Sequence, residues 1–121
     1  MYGRLGQRHV LGLPGNPVSS MICARIFLVP LIHALLGLDA ASDTPTDAVA
    51  GSAMAGNGPR EHYMRATLTH EPDGTLVATP VRSQDSSLLT PLAQAGALIV
   101  RPPNDAAIDK GVPVSILLLD F

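Results

Sequence analysis

Pro14-Gly15-Asn16-Pro17 is the feature that most restricts what this chain can fold into. Two prolines fix φ and remove backbone donors, so neither helix nor strand can run through the four residues. The segment before them, residues 9–13, reads His-Val-Leu-Gly-Leu and predicts a short strand. After them, Asn16 stands at the N-cap and Pro17 at the first position of a helix, both favoured placements. The helix is expected to run from Pro17 to Leu36 and to stop at Gly37. Pro30 should kink or split it.

That helix is unusually apolar. Met21, Ala24, Leu28, Leu31, Ile32 and Leu35 fall on one broad arc, and Ile22, Val29 and Leu36 widen it. Arg25 lies inside the arc, which suggests an ion pair, a snorkelling side chain, or a face made for a neighbour. One strand and one helix cannot cover each other, so residues 1–38 are too little for a domain. A membrane span fits by length but is poor by content, because Ser19, Ser20, Arg25, Pro30 and His33 interrupt the segment.

Residues 39–59 are low in complexity, and from Arg60 the pattern changes to period two. A low-complexity linker leads into an expected strand at 47–55, and Gly56-Asn57-Gly58-Pro59 is a strong turn signal. Residues 61–70 alternate with period two and predict a strand. Pro72-Asp73-Gly74 turns the chain back into a strand at 75–80. A short helix is expected at 88–95 and strands at 97–101 and 112–119. Gly and Pro number 11 each in 121 residues, which fits many short elements.

Composition narrows the function classes. Eight basic against ten acidic residues leave a net charge of −2, without the basic field that nucleic-acid binding needs. Hydrophobic residues at 46% and charged residues at 15% speak for a packed core rather than a disordered tail. Cys23 is the single cysteine, so no internal disulfide framework exists. His9, His33, His62 and His70 lack metal-ligand spacing, so no metal site is expected. No Walker or dinucleotide glycine pattern occurs.

The segment at 11–20, Leu-Gly-Leu-Pro-Gly-Asn-Pro-Val-Ser-Ser, closely resembles the LPGNPVS segment of the molybdopterin molybdotransferases, the MoeA and gephyrin E-domain family. Pro30 and Leu36-Gly37 match its helix end. Arg65, Gln84-Asp85-Ser86-Ser87, Leu89, the run at 93–99 and Gly111-Val112-Pro113-Val114 match its C-terminal domain. The resemblance covers nearly the whole chain in order. It implies an α+β fold: a C-terminal β-barrel-like domain of mostly antiparallel strands with one short helix, preceded by a strand–turn–helix remnant of an α/β molybdopterin-binding domain. The expected parts are residues 1–38, a linker at 39–46 and the barrel-like domain at 47–121.

The reaction the resemblance implies is insertion of molybdate into adenylylated molybdopterin in a Mg2+-dependent step, giving molybdenum cofactor in the cytoplasm. The family's Asp-bearing catalytic segments, glycine-rich pterin-binding region and dimerisation domains do not occur in these 121 residues. This chain is therefore expected to be an incomplete, inactive piece of a homodimeric enzyme, with no catalytic residue assigned within it. Substrate-binding candidates are Pro14, Gly15, Asn16, Pro17, Ser19, Arg65 and Ser86, with Arg60 a weaker cation. The small-molecule substrate is the expected partner, with no nucleic acid and no membrane.

Each candidate also has a plain reading. Pro14 to Pro17 form an ordinary capped strand-to-helix turn, although Val18, Ser19 and Ser20 would there offer free N–H groups to an anion. Arg65 is a solvated strand residue on one view and an oxyanion fork on the other. Ser86 is either an N-cap of the following helix or a hydroxyl donor. Asp85 replaces the family's usual glycine and adds negative charge beside the site. A non-catalytic β module binding an oxyanion or a partner is the alternative to an enzyme part. A degraded reading frame with an exposed apolar helix is the third.

Overall fold

The computed structural model describes residues 1–39, 44–82 and 95–119, which fall into two compact units. Residues 1–39 form the first. The second comprises 44–82 and 95–119. The linker residues 40–43, the Gln84–Ser87 segment and nearly all of the helix expected at 88–95 lie outside the described residues.

The first unit begins with a hairpin where the sequence suggests a single strand. β1 (Tyr2–Leu5) pairs antiparallel with β2 (Arg8–Leu11), Leu5 opposite Arg8. The connection is the two-residue turn Gly6-Gln7, and Gly6 takes φ +62°. A glycine first in a two-residue turn is the signature of the twist-matched hairpin. β1 carries Gly3 and Arg4 and shows no apolar alternation, which is why its strand character is hidden in the sequence.

Helix α1 (Pro17–Cys23) starts at the Asn16 cap. A π-helical turn, Ala24–Leu28, joins it to α2 (Val29–Leu36). The cause is Pro30, which cannot donate to the carbonyl four residues back and whose ring crowds it. A wider turn just upstream relieves both problems without breaking the helix. Past α2, Gly37 adopts φ +69°. Its N–H bonds Ala34 O at 3.2 Å and the Leu38 N–H bonds His33 O at 2.9 Å, closing the helix end with the paired bonds of a glycine cap. Arg25 is only 2% exposed, so it neither snorkels nor lies on a solvated face. Much of the predicted apolar arc, including Met21, Ile32 and Leu35, is exposed instead. By length and apolar composition the segment Pro17–Leu36 matches a membrane span.

The second unit is a closed five-stranded barrel: β3 (Thr46–Ala50), β4 (His62–His70), β5 (Leu76–Pro80), β6 (Ala97–Arg101) and β7 (Pro113–Leu118). Around the wall the order is β3-β5-β4-β6-β7, with β7 returning to β3. β4 is the longest strand and serves two neighbours, with Ala66 opposite both Pro80 and Ala97. All pairings are antiparallel except β3 with β5, where Val49 meets Val77 and Ala50 meets Ala78. β3 is shorter than the expected 47–55 strand. Beyond Ala50 the chain leaves the ladder at Gly51, and Met54 makes a separate bridge to Ile108.

Alanines fill much of the lumen. Ala48, Ala50, Ala66, Ala78 and Ala97 pack with Ile99, Ile116, Val114 and Met54. A five-stranded barrel is too narrow for large side chains in every layer, so small and large residues alternate. This explains how the chain builds a core without tryptophan. At Gly51 a Cβ would lie 1.9 Å from Thr79 Oγ1 and 3.0 Å from Thr79 Cβ, so any larger residue must displace Thr79 where β3 turns past β5.

Candidate functional site

The turn before α1 is exposed at Pro14, Gly15 and Pro17 and half-buried at Asn16 and Ser19. Asn16 Oδ1 accepts from Val18 N at 3.1 Å and from Ser19 N at 3.4 Å. The Ser20 N–H bonds Asn16 O at 2.8 Å. The expectation of free N–H groups at Val18, Ser19 and Ser20 is thus overturned. A good N-cap satisfies the donors that an anion would otherwise use. What the turn offers is a rigid, exposed corner with Asn16 Nδ2 and the Ser19 hydroxyl on it.

Pro14 also lines a cleft of about 410 Å³ within the first unit, beside Leu13, Cys23 and Phe27. The lining is mostly apolar. It suits a ring or an alkyl surface better than a charge.

Arg65 belongs to the second unit, so the candidates fall on two units. Met64 and Leu68 pack against the lumen core and Ala66 is part of it. By strand alternation Arg65 therefore points outward. It is nonetheless only 1% exposed and is engaged by its surroundings. The solvated-strand reading fails for this reason. A guanidinium taken out of water needs matched oxygens, and its planar fork suits an oxyanion or a carboxylate. Ser86, the other candidate, lies outside the described residues. Arg60 is exposed.

Arg101 was not singled out by the sequence. It ends β6 at 2% exposure, with Nε donating to Asp105 Oδ2 at 2.8 Å and Nη2 to Ala106 O at 2.9 Å. The only sequence signal is an Asp four residues on, a spacing that means little in a Pro-Pro loop. His62 stands opposite Arg101 in the β4–β6 register. His62 is exposed, yet partial desolvation, then the Arg101 charge, holds its pKa below the usual histidine value. The neighbouring Tyr63 donates its hydroxyl to Glu61. Burial, that hydrogen bond and the carboxylate's charge push its pKa up to about 12.

Among the described residues no three His, Cys, Asp or Glu side chains gather to hold a metal. Magnesium takes carboxylate and water oxygens. The described residues therefore do not fit it.

Comparison with known proteins agrees with this architecture. Residues 47–119 match the family model of the MoeA C-terminal region, domain IV. The chain is 32% identical over 110 residues to the molybdopterin molybdenumtransferase of Bacillus subtilis, covering 91% of this chain and 25% of that protein. It is 28% identical over 117 residues to gephyrin of Dictyostelium discoideum, covering 91% of this chain and 16% of that protein. A solved molybdopterin biosynthesis moeA protein from Pyrococcus horikoshii superposes with a TM-score of 0.76 at 21% identity, over 99% of this chain and 28% of that one. The chain spans a quarter or less of the length of these curated relatives. It belongs, by the match across its barrel, to the family of the MoeA C-terminal region.

Proposed function

We propose that this chain is the C-terminal part of a molybdopterin molybdenumtransferase acting in molybdenum cofactor biosynthesis in the cytoplasm. On this reading residues 1–38 end the molybdopterin-binding α/β domain, 39–46 link, and 47–121 form the C-terminal domain. The observation that carries it is the barrel itself, matched by its family model over residues 47–119 and bearing a buried, outward arginine, Arg65.

The chain's own residues then have distinct tasks. Pro14, Gly15, Asn16, Pro17 and Ser19 present a rigid polar corner to adenylylated molybdopterin. Asn16 holds the start of α1 with Oδ1, which leaves its Nδ2 to donate. Arg65 supplies a fixed cationic fork for molybdate, strengthened by its dry surroundings. Ser86 adds a hydroxyl donor. Magnesium and the homodimeric partner belong to segments outside these 121 residues.

The chain alone should not turn over adenylylated molybdopterin, molybdate and magnesium, because the family's glycine-rich pterin-binding segment is not in it. Cofactor formation by the 121-residue chain overturns this reading. A second reading, a β module that binds an oxyanion without catalysis, is favoured by the closed barrel with its own core. Titrating molybdate against wild type and Arg65→Ala tests it. Equal affinities remove Arg65 as a ligand on both readings.

A further inference from the structure

The loops at 51–60 and 101–112 run antiparallel to each other as an irregular strap. Met54 and Ile108 exchange backbone bonds of 2.8 and 2.9 Å, Asn57 N donates to Asp105 O at 2.8 Å, and Asn104 N donates to Gly58 O at 2.7 Å. Asn57 is the clasp. Its Nδ2 donates to Pro102 O at 2.7 Å, Arg60 O at 2.9 Å and Arg101 O at 3.2 Å. Two amide hydrogens thus serve three carbonyls, in part shared.

The next residue is chemically exposed. Gly58 has no Cβ, a Cβ built there would meet nothing within 4 Å, and its N–H donates to no acceptor among the described residues. Its nitrogen is free to approach the Asn57 side chain. The other asparagines lack this arrangement. Asn16 precedes Pro17, which has no N–H to lose, and Asn104 precedes Asp105, whose N–H is bonded to Pro102 O at 3.3 Å.

We propose that Asn57 is a site of slow spontaneous deamidation through a succinimide with Gly58, restrained by the three-carbonyl clasp and loosening the strap once complete. Solvent base removes the Gly58 amide proton, and that nitrogen bonds to Asn57 Cγ. The Cγ–Nδ2 bond breaks and Nδ2 leaves as ammonia with the proton returned to it. Water then opens the five-membered imide at one of its two carbonyls, giving Asp or isoaspartate. The balance is one water consumed and one ammonia released, with no redox change.

In the folded chain the leaving nitrogen is tethered to three carbonyls from two loops, so reaction requires the strap to open locally. The product has a carboxylate where the amide was. It loses every donor and faces Arg60, Arg101 and Pro102 carbonyl oxygens with negative charge. Neither Arg65 nor the turn at 14–17 takes part in this chemistry.

The test incubates the full chain in mildly alkaline, heavy-oxygen water and maps its peptides by mass. Asn57 should convert ahead of Asn16 and Asn104. In urea it should convert about tenfold faster or more, as the clasp is released. Gly58→Ala should slow conversion about tenfold in native and unfolded chains, because a Cβ hinders the attacking nitrogen. The converted protein and Asn57→Asp should share faster hydrogen exchange at the amides of Asn104 and Ile108. An intact Asn57 in urea overturns the chemistry. Equal rates in native buffer and urea overturn the restraint. Unchanged exchange after conversion overturns the clasp.

Discussion

Arg65 on β4 lies directly opposite Leu98 on β6, and both are essentially fully buried, at 1% and 0% exposure, on the outer side of a closed barrel. Ala97 and Ile99, on either side of Leu98, fill the lumen, so Leu98 and Arg65 share the other face. The outer wall here is thus a second buried layer, with a cation inside it. Replacing Arg65 by Ala removes a large buried side chain and leaves its matched groups without a partner. The expected cost is about 2–4 kcal/mol, read from urea unfolding of the full chain. Arg65→Lys should recover only part of this loss, since a point charge cannot reproduce the fork.

The Arg101–Asp105 pair makes a sharper case, because its partners are defined. Asp105 is 30% exposed, so part of its attraction is screened, but Arg101 is not exposed enough to be rehydrated without moving β6. Asp105→Ala should destabilise by about 2 kcal/mol. Arg101→Met alone should cost less than Asp105→Ala, since it removes the buried charge and keeps most of the volume. A double-mutant cycle in thermal unfolding measures the coupling.

His62 ties stability to pH. Its folded pKa lies below the ordinary value of 6.5, through partial desolvation and the Arg101 charge. The unfolded chain therefore takes up the proton first as pH falls. Stability from neutral His62 is present above 6.5, and is lost as pH falls from there through the depressed folded value. Thermal unfolding between neutral and mildly acid pH should show this loss in wild type. His62→Gln should flatten that part of the profile.

Gly51→Ala tests the tightest point of the barrel. A Cβ there would sit 1.9 Å from Thr79 Oγ1 and 3.1 Å from Val77 Cγ1. The clash falls at the short parallel seam that closes the wall. A loss of about 1–3 kcal/mol is expected. Adding Thr79→Ala should restore part of it, because the nearest atom is then gone.

Much of the architecture is legible residue by residue. The strands at 97–101 and 62–70, the turn at Gly74 and the helix stop at Gly37 follow from alternation and from backbone limits that act over four or five residues. The hairpin strand β1 was hidden because its residues carry no alternation. The site was half legible. The Pro-Gly-Asn-Pro turn announces itself, but its donors are taken by its own cap.

Sequence alone determined where this chain bends, caps and alternates, because proline, glycine and asparagine impose those choices locally. Tertiary structure alone decided that alanines face a narrow lumen, that Arg65, Arg25 and Arg101 are buried, and that Asn57 clasps two loops. Burial and ring closure depend on pairings between residues distant along the chain, and no local pattern encodes which strand becomes whose neighbour.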